Sequence, residues 1–306
     1  MSVYRDASLI SETNNSVLNQ NDVSLEFIIV SDGADGDVLE VLNSYQNDAR
    51  IVVLEQENQG LTKALINGCD KASNEFIARI DVGDTMLQGR LAQQAQMLAK
   101  DSSVGMVTTW VDILTEEGYE LYTIDLSKDD LDKGLRSEQS SGFVSPFHSS
   151  MMYRKSLYQQ VGAYRQEFYF TQDCDLWARM VERSGIEVIE EVLTNGLFSP
   201  RGISGYYQPQ QSALRDLVTQ AISLRKQGKS DATVLKAAEK IRPNNDIKMN
   251  SEFDTVYFLA KMLSKKRSKH AKEYWQRALK LKPWSLRVWL FGALNFLQAN
   301  DKDNNV

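Results

Sequence analysis

The sequence predicts an α/β domain with a mainly parallel sheet flanked by helices, followed by an all-helical C-terminal extension. From residue 26 onward, short apolar runs alternate with helical segments, which is typical of βαβ units in a parallel sheet. From Ser212 onward only helical spacings of three and four recur. Residues 194–210, between the two parts, are rich in glycine and proline. We therefore predict an α/β domain over residues 1–210 and a basic helical domain over residues 211–306.

Local patterns of apolar residues predict the elements of the first domain. Short apolar and β-branched runs indicate buried strands. They cover residues 26–30, 50–54, 76–80, 104–114, 149–153 and 187–193. Apolar residues three or four apart indicate helices. These cover residues 7–19, 38–45, 61–72, 90–100, 154–161 and 173–184. Residues 125–142 are polar and rich in Ser and Asp, so we predict a long loop there.

The second part of the chain is predicted to be entirely helical. Its helices cover residues 212–227, 231–241, 252–264, 271–281 and 285–298. Tyr274, Ala278 and Leu281, followed by Pro283 and Trp284, resemble one helical-hairpin repeat of the tetratricopeptide kind. A stable array needs at least about three such units. A small helical appendage on the first domain is the alternative interpretation, and the sequence leaves both open.

Composition excludes several classes of protein. The 306 residues are 42% hydrophobic and 25% charged, as in ordinary globular proteins. No apolar run is long enough for a transmembrane helix, and no signal peptide is recognisable. The two cysteines, Cys69 and Cys174, do not form a disulfide framework and fit a reducing compartment. The two histidines are too few for a histidine-based zinc site. We therefore expect a cytoplasmic protein.

The charge is distributed unevenly along the chain. Residues 1–210 carry 16 Lys and Arg against 32 Asp and Glu, a net charge of −16. Residues 211–306 carry 19 against 9, a net charge of +10. One hypothesis is peripheral contact of this basic segment with the anionic inner face of a membrane. The alternative is a solvated helical surface. Nucleic acid is disfavoured as a partner because no stacking aromatic residues alternate with the basic ones.

Two carboxylates follow the apolar run of residues 76–80. Asp81 and Asp84 stand where this predicted strand ends, and open α/β sheets place ligands at the carboxyl ends of their strands. Paired carboxylates there can hold a hard divalent cation and, through it, substrate phosphates. An acidic turn without a ligand is the alternative, because Asp and Gly are common turn residues.

Many short segments together resemble the family 2 glycosyltransferases with the GT-A fold, over about residues 1–204. The matching segments are residues 16–20, 27–33, 58–65, 77–84, 90–91, 94, 148–151, 154–155, 161–164 and 172–177. The resemblance implies transfer of a sugar from a nucleotide-sugar donor, foremost a UDP-sugar, to an acceptor hydroxyl with inversion. The acceptor would be a saccharide or a lipid-linked saccharide in surface polysaccharide synthesis, and the cofactor Mg²⁺ or Mn²⁺.

The resemblance also implies roles for particular residues. Asp173 matches the general base, although a carboxylate at the start of a helix is also common for structural reasons. Asp32 matches the carboxylate that contacts the nucleobase. Lys63 is expected to reach the base or diphosphate, with a solvated lysine as the alternative. Tyr4 and Asp81 are further donor-binding candidates.

The proposed metal ligands are Asp84 and Asp81. We expect Asp32, Asp84 and Asp173 to open into one cleft.

Three departures from the family pattern stand against these assignments. Gly83 replaces the middle carboxylate of the metal motif, and Ile203 stands where the family often has a histidine. The family's first, central apolar strand would precede residues 2–4, which we expect to lie in the turn after it. We therefore expect either a truncated or mis-started chain or a sheet whose remaining strands close the gap. The competing function is a catalytically silent relative that acts as a binding or scaffold module.

Overall fold

The computed structural model describes residues 1–199, 207–243 and 251–297, and within these ranges it contains nine strands and twelve α-helices. The strands are Ser2–Val3 (β1), Phe27–Asp32 (β2), Ile51–Gln56 (β3), Phe76–Ala78 (β4), Thr85–Met86 (β5), Val104–Leu114 (β6), Glu120–Ile124 (β7), Met152–Arg154 (β8) and Gly185–Leu197 (β9). The expected departure at Ile203 lies outside the described residues.

The helices alternate with the strands at first and then follow one another. They are Ala7–Leu18 (α1), Gly36–Asn43 (α2), Leu61–Lys71 (α3), Arg90–Lys100 (α4), Lys128–Leu135 (α5), Lys155–Gln160 (α6), Gln172–Val181 (α7), Gln208–Lys226 (α8), Ala232–Ala238 (α9), Glu252–Lys265 (α10), Ala271–Leu281 (α11) and Leu286–Gly292 (α12). Among the described residues, no helix combines the length and the apolar character that a membrane crossing requires.

The first sheet has three parallel strands in the order β1-β2-β3. Strand β2 pairs with β3 along its whole length, from Phe27 opposite Ile51 to Asp32 opposite Gln56. Every residue of β2 is buried, which explains its nearly continuous apolar sequence. Ile10 of α1 and Ile29 of β2 have no exposed surface and belong to the same core. The predicted α/β class with a parallel sheet is confirmed.

The second sheet has six strands, in the order β4-β8-β6-β9-β5, with β7 paired to β6. Strand β8 pairs antiparallel with β4 and with β6, and β5 pairs antiparallel with β9. Strand β4 therefore lies at an edge of this sheet. The described fold therefore combines both kinds of strand pairing. The first sheet is parallel, whereas β8 pairs antiparallel with β4 and β6, and β5 pairs antiparallel with β9.

The first residues of the chain form strand β1 and do not lie in the turn that the sequence had predicted. Ser2 and Val3, expected in a turn, pair parallel with Val30 and Ser31 of β2. In the part of the chain that the structure describes, β2 and β4 belong to separate sheets. The remaining strands thus do not close the gap between them, and that alternative was wrong.

The prediction of a long loop at residues 125–142 was wrong in part, because helix α5 lies within this range. Ser127 caps the helix by accepting a hydrogen bond from the Asp130 N–H at 3.2 Å. The Asp130 carboxylate accepts the Ser127 N–H in return at 3.2 Å, which completes a capping box. Leu131 and Leu135 are buried. The sequence pattern did not predict this helix, because charged residues on its outer face outnumber the few buried positions.

The described residues form two compact units. The first comprises Met1–Val111, Ile124–Gly196 and Pro209–Pro243. The second comprises Asp112–Thr123 and residues 197–199, 207–208 and 251–297. Within the second unit, the Trp275 indole donates to the Val288 carbonyl at 3.0 Å, which joins α11 to α12. The domain boundary near residue 210 stays a prediction.

Candidate functional site

Asp32, at the end of β2, organises the loop before α3. Its side chain is buried, with 3% exposure. One carboxylate oxygen accepts from the Gln59 N–H at 2.8 Å and from Gln56 Nε2 at 2.7 Å. The other accepts from the Gly60 N–H at 2.9 Å. A carboxylate has about four acceptor positions, so three of them are used here. The expected nucleobase contact stays a prediction.

Gly60 brings the Asp32 loop against the segment that precedes α7. Its φ of +86° is a conformation that favours glycine. A Cβ atom at this position would lie 3.4 Å from the Tyr169 hydroxyl. Tyr169 stands four residues before Asp173 in the chain. The loop that holds Asp32 is therefore close to the segment that leads to Asp173.

Asp81 forms an ion pair with Arg79 and keeps part of its side chain exposed. Its side chain is 36% exposed, whereas that of its ion-pair partner Arg79 is 3% exposed. Burial by itself would raise the pKa of Asp81, but the Arg79 charge and hydrogen bonds lower that pKa to about 2. The carboxylate is thus ionised at neutral pH and has exposed surface for a ligand.

Ser149 joins Asp81 to Asp84. Its hydroxyl is hydrogen-bonded to the Asp84 carboxylate and lies 3.1 Å from the second Asp81 oxygen. The Asp81 N–H donates to the same hydroxyl at 3.0 Å. Asp84 itself is 6% exposed. The structure therefore brings the two predicted acids together, and Asp81 is the more accessible of the two.

Thr13 of α1 fixes the turn between these acids. Its hydroxyl donates to the Asp84 carbonyl at 2.9 Å and accepts the Gly83 N–H at 2.9 Å. Gly83 has a φ of +93°, which a residue with a side chain rarely adopts. The turn is therefore built around glycine at the position where a third carboxylate would otherwise stand.

A buried polar network of Arg79, His148 and Tyr164 lies next to the turn that carries Asp81 and Asp84. Arg79 Nε donates to His148 Nε2 at 3.0 Å, and the Tyr164 hydroxyl lies 2.9 Å from the same nitrogen. Burial, reinforced by the Arg79 charge, lowers the pKa of His148 to about 3. The imidazole is therefore neutral and accepts a hydrogen bond from Arg79. Sequence reasoning assigned no role to Arg79, His148 or Ser149, although all three lie in the segments that carried the resemblance.

The donor set fits a hard divalent cation in part. Among the described residues no group of three or more His, Cys, Asp or Glu side chains is arranged to hold a metal. Mg²⁺ is commonly bound by only one or two carboxylates together with phosphates and waters. Asp81 offers an ionised and partly exposed oxygen pair of this kind, and Asp84 lies beside it. These two residues are the ones that would hold the ion.

Asp173 lies in the first turn of α7 and is partly buried. Burial raises its pKa, and the charge of Asp81 raises it further. Asp175, two residues later, is fully buried and accepts from Arg179 Nη2 at 2.7 Å, so its role is structural.

The remaining candidates lie at more open positions. Tyr4 is 41% exposed, and the Arg5 guanidinium stacks 4.7 Å from its ring centre. Lys63 is half-buried in the first turn of α3. None of Asp32, Asp81, Asp84 or Asp173 lines the cavity of about 320 Å³ in the first unit. Their opening into one cleft stays a prediction.

Comparison with known proteins identifies relatives over part of the chain. The amylovoran biosynthesis glycosyltransferase AmsE of Erwinia amylovora is 28% identical over 160 residues, which cover 51% of this chain and 58% of the relative. The putative glycosyltransferase EpsE of Bacillus subtilis is 26% identical, over 60% of this chain and 65% of the relative. An uncharacterized glycosyltransferase of Rickettsia bellii is 24% identical, over 63% and 27%. The matched region thus spans less than two thirds of each of these three relatives.

Two solved structures share the fold. The mannosyltransferase PcManGT from Pyrobaculum calidifontis, in complex with GDP-Man and Mn²⁺, matches with a TM-score of 0.55 at 17% identity, over 98% of this chain and 84% of that one. S. aureus TarS 1-349 in complex with UDP matches with a TM-score of 0.52 at 15% identity, over 86% and 78%. These likenesses confirm the expected GT-A-like fold.

The family assignment rests on the sequence itself. The model of the family described as glycosyl transferase family 2 matches residues 1–162, which is more than half of the chain. This range contains the Asp32 loop and the turn that carries Asp81 and Asp84. The chain belongs to glycosyl transferase family 2.

Proposed function

We propose that this protein transfers a sugar from a nucleoside diphosphate sugar to an acceptor hydroxyl, with inversion at the anomeric carbon. The observation that carries the proposal is Asp81, which is partly exposed, pairs with Arg79 and is joined to Asp84 through Ser149. Burial raises the pKa of Asp173. Asp81 is suited to binding a cation, and Asp173 is suited to accepting a proton. The related folds that bind UDP or GDP-Man support a donor of this class.

The two acids have different tasks in this proposal. Asp81, with Asp84 beside it, would hold Mg²⁺ or Mn²⁺, and a bound ion would supply positive charge opposite the diphosphate leaving group. Asp173 takes the proton of the acceptor hydroxyl. A raised pKa suits a general base, because proton transfer is most effective when that pKa approaches the working pH.

Donor binding is assigned to the loops on either side. Asp32 retains acceptor capacity beyond its three internal hydrogen bonds and faces the nucleobase. Lys63 supplies a positive charge near the diphosphate, and Tyr4 offers an exposed ring for stacking. The acceptor is proposed to be a saccharide, free or lipid-linked, in the synthesis of a surface polysaccharide. The relative AmsE, an amylovoran biosynthesis glycosyltransferase, supports a biosynthetic role of this kind.

Release of nucleoside diphosphate from a panel of UDP- and GDP-sugars, in the presence of Mn²⁺ and an acceptor mixture, tests the proposal. Asp173→Asn is expected to lower kcat by about 10²–10⁴-fold, the usual contribution of a general base. Asp129→Asn, at an 83% exposed position of α5, is the control and is expected to leave kcat unchanged. Full activity of Asp173→Asn would contradict the assignment.

A catalytically silent binding module is the second candidate, favoured by Gly83 at the position of the missing carboxylate. It is distinguished by calorimetry with the same donors. Binding of a nucleotide sugar without release of nucleoside diphosphate by the native chain would favour this module over the enzyme.

We also propose peripheral contact of the second unit with an anionic membrane surface. Around α12, Trp284 is 85% exposed and Leu286 is 71% exposed. Exposed Trp and Leu beside Lys282 and Arg287 are typical of helices that lie in a membrane interface. Flotation with anionic vesicles is expected to recover the native chain at low salt and to lose Trp284→Ser. Equal recovery of both proteins would contradict this contact.

A further inference from the structure

Helices α8 and α9 belong to the first unit, together with α7. They lie beyond residues 1–162, which carry the family assignment. Both helices bury apolar side chains. These are Leu214, Val218, Ala221, Ile222, Val234 and Ala238. The part of the chain that follows the family match therefore contributes to the core of the unit that contains Asp173.

Arg225 joins α8 to the end of α7. Its Nε lies 2.9 Å from each carboxylate oxygen of Glu182, and its Nη2 donates to one of them at 2.7 Å. Glu182 directly follows Val181, the last residue of α7. The Arg225 and Glu182 side chains are only 17% and 22% exposed. A guanidinium and a carboxylate that meet in this forked geometry fix each other's orientation as well as their distance. The contact therefore ties the C-terminal end of α7 to α8.

Asp231, immediately before α9, links Arg225 to the segment that leads into α7. One of its oxygens accepts from Arg225 Nη1 at 3.1 Å and from Arg165 Nη1 at 2.7 Å. The same Arg165 nitrogen lies 3.7 Å from an Asp175 oxygen, which has no hydrogen-bond partner among the residues that the structure describes. Asp175 is two residues after Asp173, in the first turn of α7. Asp231 therefore acts on both ends of α7, each through one arginine.

The ion pairs around Asp231 form a network of three acids and three arginines, none more than 22% exposed. Its members are Arg165, Arg179, Arg225, Asp175, Glu182 and Asp231. Because the opposite charges are equal in number, the loss of one acid leaves a positive charge without compensation at a largely buried place. Without Asp231, Arg165 would retain only its longer pair with Asp175 among the ion pairs described.

We propose that Asp231 is a positioning residue for Asp173. By holding Arg165 and Arg225 at once, Asp231 fixes both ends of α7, and the first turn of that helix carries Asp173. A displacement of about 1 Å at a reacting group can cost about 10²-fold in rate. The role of Asp173 in this scheme rests on the proposed function, whereas the hold of Asp231 on α7 does not depend on activity.

Amide exchange in α7 tests the hold of Asp231 without any substrate. At one end of the helix, the Asp175 N–H donates to the Thr171 carbonyl at 3.1 Å. At the other end, the Arg183 N–H donates to the Met180 carbonyl at 3.0 Å. Asp231→Asn is expected to speed exchange of both amides at least about tenfold, because the helix ends then open locally. Asp231→Glu keeps the charge and is expected to restore most of the protection. Unchanged exchange at either amide in Asp231→Asn would overturn the proposal.

Glu138→Gln is the matched control. Glu138 pairs at 3.0 Å with Lys226, the residue after Arg225 on α8, and the two side chains are 44% and 45% exposed. The variant removes an acidic partner from the same end of α8 and breaks no ion pair of α7 among those described. It is expected to leave the exchange of both α7 amides unchanged. Acceleration equal to that in Asp231→Asn would overturn the proposal.

A second variant, Arg165→Lys, keeps the test decisive if Asp231→Asn does not fold. Lysine retains the charge but lacks the planar fork that reaches Asp231 and Asp175 together. The variant is expected to speed exchange at the Asp175 amide and to leave the Arg183 amide unchanged. Unchanged exchange at the Asp175 amide would overturn the proposal.

A double-mutant cycle tests whether Asp231 acts through Asp173. In the assay of nucleoside diphosphate release, Asp231→Asn is expected to lower kcat about tenfold, with KM for the donor unchanged because the donor-binding loops lie outside α7. In the Asp173→Asn background the same change is expected to cost nothing further, because residues that act as a unit are not additive. An equal fold-loss in both backgrounds would overturn the positioning role. A native chain that releases no nucleoside diphosphate would contradict the proposed function instead, and amide exchange would still decide the hold on α7.

Discussion

Two acids of the first unit, Asp32 at the end of β2 and Asp81 shortly after β4, use their carboxylates in opposite ways. Asp32 is buried and accepts three hydrogen bonds, one from Gln56 of β3 and two from N–H groups of the loop before α3. Asp81 is 36% exposed and is paired with the buried Arg79. The first carboxylate holds a loop in place, whereas the second remains ionised with surface left for a ligand. The groups that a carboxylate already contacts therefore decide what chemistry it can perform.

The difference also shows in what lies beneath each acid. Three uncharged donors, the Gln56 side chain and the Gln59 and Gly60 N–H groups, stabilise Asp32. The buried cation of Arg79, together with neutral His148 and Ser149, supports Asp81. We expect damage to the first loop to be local, and damage to the second to affect both stability and catalysis. Four predictions test this contrast.

The largest effect is expected for Arg79→Met, which removes the buried cation beneath Asp81. Breaking a buried ion pair typically costs about 3–5 kcal/mol, because polar partners remain without compensation. Arg50→Met is the matched control, since its pair with Asp48 is on the surface at 40% and 28% exposure and is expected to contribute under about 1 kcal/mol. Urea unfolding measures both, and equal losses would contradict the contrast.

Asp32→Asn is expected to cost about 1–3 kcal/mol, because at least one backbone N–H of the loop loses its acceptor. Faster hydrogen exchange at the Gln59 and Gly60 amides should accompany the loss. Asp37→Asn, at an exposed position of α2, is the control and is expected to stay within about 0.5 kcal/mol. Unchanged exchange at the two amides would mean that Asp32 does not hold the loop.

The pH dependence of stability is expected to reveal Asp81. Its pKa in the folded protein, about 2, is below the unfolded value of about 3.9. Its contribution is therefore present above the unfolded value and is lost as pH falls through about 2. At 36% exposure we expect about 1 kcal/mol. Between pH 5 and 2, Asp81→Asn should lose less unfolding free energy than the native chain, and parallel curves would refute this.

The smallest effect is expected for the stability of Asp173→Asn. Because burial raises the pKa of Asp173, its contribution is present below the unfolded pKa and is lost as pH rises through the folded value. A neutral Asn avoids that loss, so Tm at pH 7 should rise by up to about 2–4 °C. At pH 3 the variant and the native chain should melt together. A lower Tm at pH 7 would show that the Asp173 charge stabilises the fold.

Much of the fold could be predicted because its patterns are local. Helix α1 was expected at 7–19 and strand β6 at 104–114, and the structure has Ala7–Leu18 and Val104–Leu114. Helix α5 was missed because its two buried leucines stand among charged residues. The acids Asp81 and Asp84 were anticipated, but Ser149, which joins them, lies 68 and 65 positions away along the chain.

The sequence by itself determined the longer strands and helices of the first domain, the family, and which acidic residues follow which strands. These properties depend on short-range periodicity and on motifs that are read along the chain. Only the tertiary structure decided that Ser149 and Thr13 clamp the acidic turn, that Arg79 is buried beside it, and that β2 and β4 line one apolar cavity. These features depend on contacts between backbone and side-chain groups that are far apart in the sequence and meet only in the folded chain. Local sequence patterns do not determine which of these groups meet.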